Sequence, residues 1–327
     1  MNMRSLAKRV LFGVGLADRT ATINRCGIAL TEPDGNKKGV FLLNGTRLPD
    51  FDLVWRRLRQ RYVIVLTHHW ALQDYLLREY NKRARRFDCV ISPNEECDRL
   101  LNFAPVFRSN SVDLLVDDQM WPRLNGVRDI DVVDSVAVPW LLKQPIKWLD
   151  EVQRHLDRKG AGRAVYVLKR APNAKEDDEC RRQFDLFRRR LSADARIELR
   201  VGVEQREMCE IYNRAKVIYH PSNSEFGCRS ILEAMYCGVW AVVEPYDWAR
   251  AASTDSRIQA LVRVQQGLDP LPTGELPDIR QWMTANGVRT RLIEFLGRTH
   301  DVSATLRPFT MFSHVHIHST TGVKTDM

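Results

Sequence analysis

Apolar residues in the second half of the chain fall into short unbroken runs, and between the runs they recur every three or four positions. Unbroken runs suit strands buried on both faces, and the wider spacing suits helices with one apolar side. Strands are predicted at 136–142, 164–168, 197–199, 217–219 and 239–243. Between them Ile146, Leu149, Val152 and Leu156 mark one helix, and Phe184, Phe187 and Leu191 a second. Met208, Ile211 and Tyr212 mark a third, and residues 231–236 a fourth. This alternation means right-handed crossovers between parallel strands, the hand that packs each helix back on the sheet. The expected product is a doubly wound α/β domain.

The first half is less regular but similar in kind. Residues 9–12, 63–66 and 89–91 read as strands, and Leu72, Tyr75, Leu76 and Tyr80 mark a helix before the last of them. The expected division is an amino-terminal α/β domain over 1–130, a carboxyl-terminal α/β domain over 131–300 and a tail over 301–327. The stretch 104–134, with Pro105, Pro122 and several aspartates, reads as the connection.

Composition narrows the class. At 327 residues with 44 % hydrophobic and 28 % charged positions, the chain can bury a core. This excludes a disordered chain, a collagen and a small disulfide scaffold. No apolar run approaches the roughly 20 residues that span a bilayer, and residues 1–10 lack the apolar core of a signal peptide. Seven cysteines form no C-x-x-C pair and are odd in number, so reduced thiols and a cytoplasmic location are expected. The net charge is +9, and 39 of the 50 cations are Arg, whose paired donors match phosphate oxygens.

The stretch with most chemistry runs from His220 to Gly238. A predicted strand ends at His220 and a predicted helix begins near Gly227, so the intervening loop lies where open parallel sheets bind ligands. A helix amino terminus there offers unpaired amides and partial positive charge to a diphosphate. Glu225 and Glu233 could hold sugar and ribose hydroxyls, or serve only as a cap and a surface residue.

Two glutamates with seven residues between them, in the contexts PSNSEFG and LEAMYCG followed by WAVVEP, resemble the retaining nucleotide-sugar glycosyltransferases of the B-type (GT-B) fold, the group 1 or family four-like enzymes. The preceding EQREMCEIYNRA and KVIYHPS are similar to that family's lead-in helix and strand, and RSNSVD followed by Trp121-Pro122 resembles its interdomain segment. The resemblance implies two facing Rossmann-like domains with the active site in the cleft between them. It implies that Glu225 contacts the donor sugar, that Glu233 holds the ribose, and that amides at Phe226, Gly227 and Cys228 meet the diphosphate. The family's Arg and Lys phosphate clamp maps only onto Lys143, with Lys147 as a substitute, because Val138-Pro139-Trp140 replaces the usual Gly-Arg. Lys169 and Arg170 are alternative cations. Val65-Leu-Thr-His-His69 resembles the family's histidine-bearing strand end and makes His69 a catalytic candidate, while Gly13 and Gly15 would let the backbone approach the donor.

The resemblance implies a metal-independent hexosyltransferase that uses a nucleotide sugar, a UDP-sugar by expectation, with no further cofactor. Nine cations against two acids over 56–86 suit a phosphate backbone, so Arg83, Arg85 and Arg86 are candidates for binding an acceptor. A hydroxylated base in DNA, as in virus-type DNA modification, is the leading expectation, and a viral protein would act in the host cytoplasm. An envelope glycan or glycolipid, with peripheral membrane contact, is the alternative acceptor. A non-catalytic nucleotide-sugar-binding protein is the alternative from another class. His314, His316 and His318 alternate near the carboxyl terminus, in what reads as a mobile tail, and no D-x-D metal motif occurs.

Overall fold

A computed structural model describes residues 19–67, 74–93, 95–136, 143–170, 178–222, 228–245 and 253–307. The predicted strand at 9–12 lies outside them. In the first lobe, helix α1 (Arg19–Cys26) leads into strands β1 (Gly27–Thr31) and β2 (Gly39–Asn44). Helix α2 (Leu48–Arg61), with a proline in its first turn, places Phe51, Val54 and Leu58 on its buried side. Then follow β3 (Tyr62–Thr67), α3 (Asp74–Asn81), β4 (Cys89–Ser92), α4 (Glu95–Leu100), β5 (Val106–Arg108) and α5 (Ser111–Leu115). The five strands lie in chain order; β1 runs antiparallel to β2 and the other neighbours are parallel.

The second lobe alternates β6 (Ile130–Val136), α6 (Pro145–Lys159), β7 (Ala164–Leu168), α7 (Asp178–Ser192), β8 (Ile197–Val201), α8 (Gln205–Arg214) and β9 (Ala215–His220). It continues with α9 (Arg229–Tyr236), β10 (Trp240–Val243), α10 (Ser256–Leu261), β11 (Arg263–Val264) and α11 (Ala285–Leu296). Its six strands are all parallel, in the order β11-β10-β9-β6-β7-β8. The chain leaves β6 towards β7 and β8, then returns to β9 on the other side. The topological switch point therefore lies between β6 and β9.

Packing follows from the pattern. Both faces of β7 are covered, so all five of its residues are buried. Trp148 of α6, Tyr166 of β7 and Phe187 of α7 meet with ring centroids 4.8 Å apart at each step. Each such side chain contributes on the order of 2–3 kcal/mol through apolar area removed from water. Helix α6 starts on Pro145 and stops at Gly160, whose left-handed backbone (φ 73°) closes the last turn.

Two boundaries differ from the sequence expectation. The strand expected at 136–142 is β6, which ends at Val136; residues 137–142 lie outside the described set. Its two aspartates break the apolar run, yet both are buried because each has a cationic partner. Asp131 accepts from Lys159 Nζ and Lys216 Nζ, each at 2.6 Å, and Asp134 pairs with His220. Residues 301–307, at the start of the segment assigned to a tail, return to the first lobe. Val302 and Leu306 bridge to Lys38 and Thr31, and Ser303 N and Arg307 N donate to the carbonyls of Lys38 and Leu30 at 2.8 Å. Alongside, Phe295 of α11 packs on Phe107, and Arg289 Nε donates to the Leu114 carbonyl of α5. No helix among the described residues is long and apolar enough to cross a membrane.

Candidate functional site

The carboxyl ends of β6, β7 and β9 gather the polar groups of the second lobe. Asp134, fully buried near the end of β6, accepts from Ser135 N at 2.8 Å. The same Oδ1 lies 2.8 Å from Nδ1 of His220, the buried last residue of β9. This contact spans the switch point. The other imidazole nitrogen faces the thiol of Cys228, which immediately precedes α9. Cys228 does not cap that helix; its Sγ lies 3.1 Å from Ser230 Oγ. The first-turn amides of α9 are thus without a side-chain cap from Cys228, a setting suited to an anion.

Burial alone would push His220 down, but the Asp134 carboxylate and the Cys228 sulfur more than reverse it and hold the ring charged. Burial alone would push Cys228 up, whereas the His220 ring and the Lys143 ammonium bring it down to about 7. Lys143 reaches this group from the turn before α6, where Gln144 takes a left-handed backbone (φ 46°) that a non-glycine residue rarely adopts. Burial lowers the Lys143 pKa, and the charges of Cys228 and Asp134 partly restore it.

One helical turn further along, Glu233 is buried and pairs with Arg229 of the same helix. Burial raises its pKa, while Arg229 and Lys169, just past the end of β7, favour the carboxylate. Acceptor oxygens lie beside donor amides here, the combination that a ribose diphosphate requires.

The candidates from sequence fare differently. Lys143, Cys228 and Glu233 come together at the switch point. Lys147 is turned away to buried Glu244, with Nζ 2.9 Å from Oε2. Glu244 Oε1 also accepts from Tyr219 OH at 2.6 Å and Gly267 N at 3.0 Å, so this pair pins a loop. Glu225, Phe226, Gly227, His69, Gly13 and Gly15 lie outside the described residues, as do His314, His316 and His318. In the first lobe Arg83 is locked to Asp52 by two parallel bonds of 2.8 and 2.6 Å and to Glu79 Oε2 at 2.7 Å. Arg86 donates to Asp52 Oδ1 at 2.6 Å and stacks on the Trp55 ring. Both spend their donors inside the fold, which leaves exposed Arg85 as the cation of the three turned to solvent. Asp134 and His220 were not singled out as site residues by sequence reasoning. A histidine closing a strand just before the Pro-Ser loop was the available signal. Among the described residues, no three or more His, Cys, Asp or Glu are grouped to hold a metal ion.

Residues 182–263, from within α7 to β11, match the family of glycosyl transferases group 1. Among solved structures, HepE of Anabaena, determined with UDP and glucose, is similar at a TM-score of 0.53 and 14 % identity, over 78 % of this chain and 77 % of that one. The UDP-forming α,α-trehalose-phosphate synthase of Burkholderia xenovorans gives 0.54 and 12 %, over 79 % and 72 %. Sucrose-phosphate synthase of Thermosynechococcus elongatus gives 0.52 and 14 %, over 79 % and 72 %. A search of curated proteins finds no significant match. The two-lobed parallel architecture is that of the B-type glycosyltransferases. The fold and the group 1 segment at 182–263 are what this chain shares with the glycosyltransferases of that type.

Proposed function

We propose that the protein transfers a sugar from a UDP-sugar to an acceptor hydroxyl, with retention at the anomeric carbon. The observation that carries the reading is the amino terminus of α9, which Cys228 leaves without a side-chain cap, beside Lys143 and Glu233 at the switch point of the second sheet. The diphosphate lies at the α9 amides, where Lys143 answers its charge. Glu233 accepts from the ribose hydroxyls, and Arg229 orients that carboxylate. As the glycosidic bond to UDP breaks, negative charge grows on the leaving phosphate. Fixed amides and cations stabilise it without reorganising, which is how such sites lower a barrier. UDP is the donor base proposed because HepE is described with UDP and glucose and the trehalose-phosphate synthase as UDP-forming. Retention rests on the resemblance of the PSNSEFG motif, with the acceptor attacking from the face that UDP leaves and Glu225 and His69 beside the transferred sugar.

The acceptor is proposed only as a hydroxyl. A DNA acceptor loses its main support, since Arg83 and Arg86 are engaged with Asp52. One observation favours a donor-binding protein without transfer: Lys147, the substitute clamp, is taken up by Glu244. Screening nucleotide sugars by mass detection of released UDP separates the two readings. Turnover should fall roughly a hundredfold in Glu225→Ala and in Glu233→Ala with the thermal transition retained, as expected for charged hydrogen bonds to substrate. Unchanged turnover in both variants would sink the assignment.

A further inference from the structure

The seven cysteines are all thiols and all buried, yet they sit in opposite electrostatic settings. Cys89, enclosed by β-sheet, is pushed up to about 12 by burial. Cys228 is also buried, at 6 % exposure, but it is flanked by two cationic side chains on separate elements. Asp134 on β6 holds the His220 ring through Nδ1 at 2.8 Å, which directs the remaining ring nitrogen at the sulfur. Lys143 adds a second positive charge, Ser230 Oγ lies 3.1 Å away, and the Tyr212 phenol of α8 is a neutral neighbour. An acid, a base and a thiol in succession, at the start of a helix, form the arrangement that makes a thiolate nucleophilic.

We propose that Cys228 is a modification site: a thiolate built by Asp134, His220 and Lys143 into the donor-diphosphate position, open to hydroperoxides and soft electrophiles, and blocking the nucleotide once modified. The proposal rests on the donor-site reading above. With a hydroperoxide, the sulfur lone pair attacks the distal oxygen and the O–O bond breaks. The departing oxide takes the proton of the His220 imidazolium, leaving Cys228 as a sulfenic acid, the ring neutral and an alcohol or water released. Sulfur is oxidised by two electrons and the peroxide reduced by two. A thiol reductant reverses the step. Oxidation replaces a thiolate by a larger group beside the α9 amides and neutralises thiolate and imidazolium together, so UDP should be excluded sterically rather than by charge.

The test is alkylation of the native full-length protein by iodoacetamide, read peptide by peptide, with Cys89 as internal reference. Cys228 should label at least tenfold faster than Cys89 at pH 7, with a half-maximal rate near pH 7 that rises with the thiolate fraction. Asp134→Asn should move that midpoint up by about one unit or more; should the variant not fold, the wild-type profile alone decides. Saturating UDP should slow labelling at least fivefold, and hydrogen peroxide should block it until dithiothreitol is added. A Cys228 rate no greater than that of Cys89, or a midpoint near 9, overturns the thiolate. Calorimetry run in parallel separates the two readings. If UDP binds but does not protect Cys228, this proposal fails. If UDP does not bind while Cys228 labels with the low midpoint, the donor reading fails and the thiolate stands.

Discussion

Two regions of this molecule concentrate charge, and they do opposite things with it. Residues 56–86 carry most of the cations that the sequence offers as a polyanion surface. Two of them, Arg83 and Arg86, converge on Asp52 and the Trp55 ring, fastening α3 and the turn after it to α2. The switch point of the second sheet holds fewer charges: Asp134, His220, Lys143 and Glu233. There burial strips away water, so each charge strongly shifts its neighbours. The difference teaches that the count of cations marks a surface, whereas opposite charges buried together at strand ends mark a site.

The contrast can be broken from either side. The largest expected effect is in the first lobe, where Arg83→Ala removes a doubly bonded guanidinium from a mostly buried carboxylate. Stability should fall by about 3 kcal/mol in denaturant melts, while transfer by the folded protein stays within about twofold. A variant of unchanged stability that loses salt-dependent acceptor binding would restore the polyanion surface. Next, Lys143→Ala should weaken UDP binding about tenfold by calorimetry, or about 1.4 kcal/mol, against about twofold for Lys147→Ala, whose ammonium already serves Glu244. Equal losses would erase the distinction between the two lysines.

A smaller effect concerns acid. Burial opposes ionisation of Asp131, but Lys159 and Lys216 overcome it and hold the carboxyl below its usual range. A depressed folded value lends stability above the unfolded pKa of about 4, and that stability is lost as the pH falls through the folded value. Asp131→Asn should therefore cost about 1–2 kcal/mol at pH 7 and flatten the decline in urea midpoint below pH 4. Smallest of all, Arg85→Ala should change stability by less than about 0.5 kcal/mol and leave transfer as it was.

Legibility in the sequence followed the same division. Strand β7 reads directly because Ala164-Val-Tyr-Val-Leu168 is one apolar run enclosed on both faces. Strand β6 is displaced by six residues in the sequence reading because Asp131 and Asp134 break its run. Those aspartates are tolerated through partners up to 86 residues away, and no local pattern reports such pairs. Helix α2 was legible in principle, with Phe51, Val54 and Leu58 at helical spacing, but four arginines in its last two turns drew the reading towards charge. The helix that carries Glu233 is legible because its neighbours Leu232, Ala234 and Met235 are core residues. The Asp52 partner of Arg83 could not be read, since it is 31 positions away.

The return of residues 302–307 to the first sheet has a mechanical meaning. Among the described residues the polypeptide passes between the lobes twice, once near 109–129 and once near 297–301, and α5 and α11 bind these two passages to each other through Arg289 and Leu114. A single tether would let one lobe swivel about three axes. Two tethers fastened side by side, like a door hinge, resist twist and slide. Trimming the chain before residue 302 therefore removes half of the connection rather than a loose end.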